Sequence, residues 1–283
     1  MLSLAENVHY IYEVFNPDRD PGRCQISFPK WFTHLPLDTG EPYYSALKAT
    51  IVGHKYNLLR GLQSARSPGE IKERYAEYLN NWTASRKPEL RSLLKDPIAI
   101  FSAEWLADRF DMDVVVLIRH PANFVSSLIK HEYYFTFEDL RSQPELMNGY
   151  LEPFAEDIIN PPTEILDQAV LLWRMIYSVV LYFKRNYPSW IFVRYEDLAA
   201  DPIMEFQTLY EQLNLSWTPD IEQIVLGFSS AENPVDTKNP MNIKRHSQGL
   251  VDQWRNRLSL EQSTLIKEKT VDIWPKFYKD NDW

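Results

Sequence analysis

An arginine placed directly after a run of five apolar residues is the feature with the most chemical content in this sequence. Val114 to Ile118 (VVVLI) has the length and β-branched composition of a buried parallel strand. Arg119 and His120 follow at once, and Pro121 suits the first position of a helix, where its missing N–H costs nothing. The helix continues as ANFVSSLIK and carries Ser127 about two turns in. An arginine at the carboxyl end of a strand sits where open α/β sheets bind their ligands. Its planar fork matches a phosphate, and a nearby hydroxyl can add a hydrogen bond. Two more strand ends, at Lys95 and at Arg194-Tyr195-Glu196-Asp197, would bring charge to the same edge of a parallel sheet. The pattern points to a small anionic ligand. The plainer alternative is a strand–turn–helix that happens to carry a surface arginine.

Composition narrows the classes. The 283 residues suffice for one large α/β domain with insertions, and a hydrophobic fraction of 45% with 14% aromatics is that of a packed globular chain. A net charge of −9 argues against a broad nucleic-acid surface but leaves room for a local basic pocket. One cysteine, Cys24, excludes an internal disulfide and fits a reducing, cytoplasmic setting. Sequons at Asn81 and Asn214 have no secretory leader ahead of them and read as chance matches. The most apolar run, Ala169–Phe183, is interrupted by Arg174 and too short for a membrane span, so a buried core helix is expected there.

The elements that must position these residues follow from periodicity and punctuation. VHYIY (8–12) reads as a short strand ending at Glu13 and the FNPDRDPG turn cluster. Helices are expected near 43–64 and 68–85, within a helical insertion over about 23–91. Ser102 is a candidate N-cap for AEWLADRF. A loop-rich, aromatic section over 131–162 precedes the strongest helix, 163–187. IFVRYEDL (191–198) reads as another buried strand, Asp201-Pro202 as a helix start, and Ser259 with Gln262 as a capping box opening a last helix through Val271. A Pro- and Asn-rich loop covers about 231–242. Strand–helix alternation predicts an α/β fold with a central, mainly parallel sheet, helices on both faces and helical insertions.

Four segments in order resemble the sulfotransferases that use 3′-phosphoadenosine 5′-phosphosulfate (PAPS) as donor. Arg119–Ser127, an arginine with a serine eight residues on, resembles their 3′-phosphate-binding motif. RYEDLAADPIMEFQTLYEQLNL (194–215) resembles the segment after their late sheet strand, and WRNRLS (254–259) their C-terminal end. Lys95, 24 residues before Arg119, is similar to their lysine facing the sulfuryl group. The resemblance covers about residues 90–275 and implies a P-loop-like three-layer fold in a single domain, 1–283, with about 23–91 and 131–162 as insertions. It implies no metal and an acceptor hydroxyl on a carbohydrate or small molecule.

The roles implied are specific. Arg119 and Ser127 would grip the 3′-phosphate, Lys95 would offset charge on the transferring group, and Arg245 could cover the nucleotide. Lys95 has a plainer alternative as the partner of Asp96, and Arg245 as a solvated basic loop residue. Where cytosolic members carry a catalytic histidine two residues after the lysine, this chain has Pro97. Glu13, in YEVFNP, resembles the glutamate of carbohydrate-type and bacterial members and is the candidate base, needing partial burial to work near neutral pH. His9, His120 and His131 are alternatives without a motif, and Glu13 could be a turn or salt-bridge residue. Glu196 and Asp197 read as anchors of the sheet edge. Trp31, Phe32, Tyr133, Tyr134 and Phe135 could line an acceptor pocket or simply fill the core.

One expected part is not recognisable. The family cradles the 5′-phosphosulfate in a strand, a Ser-Gly-rich loop and a helix N-terminus, and Gly53-His54-Lys55 lacks that pattern. MLSLAENVHYIYEVFNP resembles what normally follows the loop, so the first strand and loop are expected to be missing and catalysis impaired. The alternative readings are a non-catalytic nucleotide-binding module and, less well matched, a P-loop kinase relative. The sequence does not decide the oligomeric state.

Overall fold

The computed structural model describes residues 1–38, 40–235 and 244–283. Most of the loop expected over 231–242 therefore lies outside the described residues. In chain order the elements are β1 (Val8–Tyr12), α1 (Glu41–Ile51), α2 (Leu58–Ser64), α3 (Pro68–Ala84), β2 (Arg91–Lys95), α4 (Ala103–Phe110), β3 (Val115–Ile118) and α5 (Pro121–Lys130). The short helices α6 (Glu138–Arg141), α7 (Pro144–Asn148) and α8 (Ala155–Ile159) follow. Then come α9 (Ile165–Asn186), β4 (Ile191–Arg194), α10 (Tyr195–Ala200), α11 (Pro202–Gln212), α12 (Pro219–Ser229) and α13 (Leu260–Lys269).

The α/β class and the parallel pairing agree with the strand–helix alternation. The pairing takes the form of two separate two-stranded ladders, β1 with β2 and β3 with β4, where one central sheet was expected. The chain divides into two compact units. One contains Leu2–Met112 and Glu138–Glu152; the other contains Met1, Asp113–Phe137 and Pro153–Trp283.

In the first unit, Val8 pairs with Arg91 and Tyr12 with Lys95, so both strands end together. The core beside them is built on Phe15, Leu47 and Trp105, all without measurable exposure. Phe15 stacks on Phe28 with ring centroids 4.1 Å apart. The single helix expected near 43–64 is two, α1 and α2. His54 adopts φ 48° just after α1, and the Asn57 side chain then accepts from the Arg60 N–H to start α2, so a new helix direction begins there. Ser102 stands before α4 as expected, but its hydroxyl does not cap the helix. It donates to the Thr33 carbonyl at 2.6 Å and accepts from the Leu35 N–H at 2.9 Å, pinning a preceding loop.

Helix α3 is oriented against the usual rule. Its inward residues are polar: Arg74 pairs with Asp20 at 3.3 Å, Glu77 with Arg23 at 2.7 Å, and Asn81 shares a hydrogen bond with His9 at 3.2 Å.

In the second unit α9 is the central support. By length and composition alone its 22 residues could cross a membrane, longer than the apolar run read from sequence. Here Ala169, Val170, Trp173 and Met175 are buried in the core, and Ala169 and Val170 pack with Ala122 and Val125 of α5 and with Trp254, Leu258 and Ile266. The stretch expected as one strand over 191–198 pairs only to Arg194, and Tyr195 opens a short helix instead. Asp201 caps α11 by accepting from the Met204 N–H. The capping box of Ser259 and Gln262 is present in both directions and opens α13, which ends at Lys269.

Candidate functional site

Arg119 leaves β3 with its backbone fixed from both sides by α9. Its N–H donates to the Tyr177 hydroxyl at 2.7 Å, and its carbonyl accepts from Trp173 Nε1 at 3.0 Å. The guanidinium lies over the Tyr195 ring, 5.2 Å from its centroid. Its Nε is buried without a hydrogen-bond partner, a donor left available at a site that favours an anion. Burial pushes the Tyr195 hydroxyl upward, and the positive charges of Arg119, Arg245 and Arg257 pull against that. Arg245 is placed by its N–H donating to the Phe228 carbonyl at 2.9 Å, and Arg257 by its N–H donating to the Trp254 carbonyl at 3.0 Å. Both are half-buried, not fully solvated.

The corner after Arg119 is held by a buried carboxylate. Glu196, 5% exposed, accepts from the His120 N–H at 3.1 Å, from Asn123 Nδ2 at 2.9 Å and from the Tyr278 hydroxyl at 2.7 Å. Glu196 thus anchors this edge, as its position after β4 suggested. The Tyr278 hydroxyl is pushed upward by burial and then by the Glu196 charge, so it stays protonated and donates. His120 caps α5 by accepting the Ala122 N–H on Nδ1, and its ring lies among Trp254, Tyr278 and Trp283. Burial drives its pKa down to about 3, against the pull of Asp282, so the ring is neutral and enclosed. That removes His120 as a base open to substrate. Ser127 stands on α5, half-buried, and is not among the described partners of Arg119.

Glu13 and Lys95, read from sequence as base and charge clamp, lie in the other unit and form a direct pair. Glu13 follows β1 with φ 44°, in the left-handed region, and its N–H donates to the Lys95 carbonyl at 2.9 Å. Lys95 Nζ donates to Glu13 Oε1 at 2.7 Å, while Oε2 accepts from Asn16 Nδ2 at 2.9 Å and Arg19 Nε at 3.3 Å. The Lys95 partner suggested by sequence adjacency, Asp96, is taken elsewhere: it accepts the Phe15 N–H at 2.7 Å and the Ile98 N–H at 3.2 Å. Burial raises the Asp96 pKa to about 6 despite those donors.

Burial also pushes the Glu13 carboxyl up. The hydrogen bonds from Lys95 and Asn16 and the Lys95 charge outweigh it and hold the group below the ordinary glutamate range. The partial burial required of a base is present, but its effect is reversed by the lysine. Lys95, Arg19 and Arg23 all lie near the face of Tyr12, at 4.8, 5.3 and 5.1 Å from its centroid, with Glu13 and Glu77 as their carboxylate partners.

Of the other sequence candidates, His9 is buried against Asn81 and His54. Phe32 and Phe135 are buried, while Tyr133 and Tyr134 are exposed. Sequence reasoning missed Tyr195 and Arg257. Tyr195 was read as part of a strand, and Arg257 sat unremarked inside WRNRLS. Among the described residues, no group of three or more His, Cys, Asp or Glu side chains is arranged to hold a metal ion.

Residues 25–219 match the profile of a sulfotransferase family. Carbohydrate sulfotransferase 1 of Danio rerio is 26% identical over 177 residues, 60% of this chain and 36% of that protein. Carbohydrate sulfotransferase 2 of Mus musculus is 28% identical over 87 residues, 29% of this chain and 16% of that protein. The chain thus spans well under half the length of these curated relatives. Among solved structures, the sulfotransferase domain from the curacin biosynthetic pathway is a loose likeness, 12% identical with a TM-score of 0.39 and covering 79% of this chain and 78% of that one. Because the match over residues 25–219 covers more than half of its residues, the chain belongs to the sulfotransferase family.

Proposed function

We propose that the protein transfers a sulfuryl group from 3′-phosphoadenosine 5′-phosphosulfate to a hydroxyl of a carbohydrate or small molecule. The observation that carries this reading is Arg119 at the end of β3, with its guanidinium over the Tyr195 ring and its Nε buried without a hydrogen-bond partner. A guanidinium beside an aromatic ring suits a phosphorylated nucleoside, the charge meeting the 3′-phosphate and the ring offering a stacking surface. Ser127 adds a hydroxyl to the phosphate. The names of the relatives support a carbohydrate acceptor.

In the reaction the acceptor oxygen attacks sulfur as the bond from sulfur to the 5′-phosphate oxygen breaks, and the acceptor proton passes to a base. Lys95 has three N–H bonds, so it can keep its bond to Glu13 and still present a donor to the transferring group. Glu13 is the proton acceptor of this scheme. A reducing, cytoplasmic setting belongs to the same reading.

The lowered pKa of Glu13 favours a second reading, a nucleotide-binding module without turnover. Two measurements on the full chain separate the readings. Calorimetry with adenosine 3′,5′-bisphosphate tests the pocket, and transfer of labelled sulfate from the donor to a panel of sugars and phenols tests catalysis. Binding with transfer supports the enzyme, binding alone the module, and no binding removes both.

A further inference from the structure

The inward face of α3 is polar, and an apolar stripe beside it is exposed. Ile71, Tyr75, Leu79 and Trp82 are 49, 52, 42 and 44% exposed, and Tyr78 stands beside Tyr75 with ring centroids 6.3 Å apart. At 100° per residue these five side chains fall within an arc of about 100°. The ion pairs of Arg74 and Glu77 and the Asn81 hydrogen bond use the adjoining arc of the helix. A helix that turns its polar face to its own fold and its apolar face to solvent is not explained by the stability of the isolated unit.

We infer that this face docks the protein on an anionic lipid surface. The charges nearest the stripe are basic and exposed: Lys72 along one edge, and Arg86 and Lys87 past its C-terminal end. Arg86 lies over the Trp82 ring at 3.4 Å. The acids of the helix are turned away or engaged. Glu77 is paired with Arg23, Glu70 accepts the Arg66 N–H at 2.9 Å, and Glu73 lies on the far side of the helix. This basic rim stands out on a chain whose net charge is −9, so it is a local complement to negative headgroups. Tyrosine and tryptophan, apolar with a polar tip, suit the boundary between headgroups and acyl chains. A second copy of the chain fits less well. Half-exposed side chains of this size offer on the order of 400 Å², short of the roughly 800 Å² per partner that a stable interface buries. The inference does not depend on the donor pocket, which uses none of these residues.

The test is co-sedimentation of the full chain with phosphatidylcholine vesicles, with and without phosphatidylserine. The chain should sediment with the phosphatidylserine vesicles, less so as salt is raised, and little with phosphatidylcholine alone. The double variant Tyr75→Ser/Trp82→Ser should partition about tenfold less or weaker still, with an unchanged melting temperature because both residues are exposed. Lys72→Glu/Arg86→Glu should weaken binding to phosphatidylserine vesicles in the same way. Failure of the wild-type chain to sediment, equal sedimentation of the double variant, or a concentration-dependent dimer that the double variant loses would each overturn the inference.

Discussion

Lys95 Nζ donates to Glu13 Oε1 at 2.7 Å, and the Glu13 N–H donates to the Lys95 carbonyl at 2.9 Å, so the ends of β1 and β2 are tied twice. The lysine is what keeps a buried carboxyl ionised. In Lys95→Met, burial would act on Glu13 with less opposition, and its pKa should rise, read by carboxyl-carbon NMR titration. A depressed carboxyl adds stability above its unfolded pKa and loses it as pH falls through the folded one. That acid-side loss should shrink in the variant. Because Lys95 is nearly half exposed, the cost at neutral pH should stay under about 1 kcal/mol. An unmoved Glu13 titration would refute the control assigned to Lys95.

Arg119→Ala should weaken binding of adenosine 3′,5′-bisphosphate by roughly 100-fold, the scale of a lost charge-assisted pair. Arg119→Lys should fall between, since an ammonium keeps the charge and loses the fork. Calorimetric titration decides it, and wild-type affinity in Arg119→Ala would remove the arginine from the pocket.

Glu196→Ala would leave His120 N–H, Asn123 Nδ2 and the Tyr278 hydroxyl without their acceptor in a buried setting. A loss of about 3 kcal/mol or more is expected, visible as a drop in melting temperature. Glu196→Gln keeps one acceptor oxygen and should lose less. A melting point within a degree of wild type for the alanine variant would contradict the anchoring role.

His120 is neutral in the fold because burial drives its pKa down to about 3. The unfolded chain binds a proton there near pH 6.5, so below that value it holds more protons than the folded one. The stability tied to this residue is present above pH 6.5 and is lost as pH falls from there toward 3. His120→Asn, which keeps an acceptor for the Ala122 N–H, should flatten the urea midpoint across that window. An unchanged slope would refute the assignment.

What could be read from sequence was what local chemistry decides. The Ser259–Gln262 box, the Asp201-Pro202 start, the long apolar α9 and the arginine closing β3 depend on neighbours within a few positions, and each is where its residues suggested. The Glu13–Lys95 pair joins residues 82 positions apart, and no local pattern prefers it to Lys95–Asp96. Tyr195 follows IFVR directly, a context that predicts strand, yet the ladder stops at Arg194 and the ring turns toward Arg119. The orientation of α3 was hidden for a related reason. Both of its faces have helical periodicity, and only the partners Asp20, Arg23 and His9 determine which one faces inward.

Glu13 holds its carboxylate on a left-handed backbone, φ 44°, which glycine or asparagine adopts with less strain. Backbone geometry and side-chain bonding therefore favour different residues at this position. Glu13→Gly would relieve on the order of 1 kcal/mol of backbone strain, while also deleting the carboxylate and its bonds to Lys95, Asn16 and Arg19. A directed-evolution screen that rewarded heat resistance alone would weigh that relief against the lost bonds to Lys95, Asn16 and Arg19. A screen that rewarded turnover would have a reason to keep this glutamate.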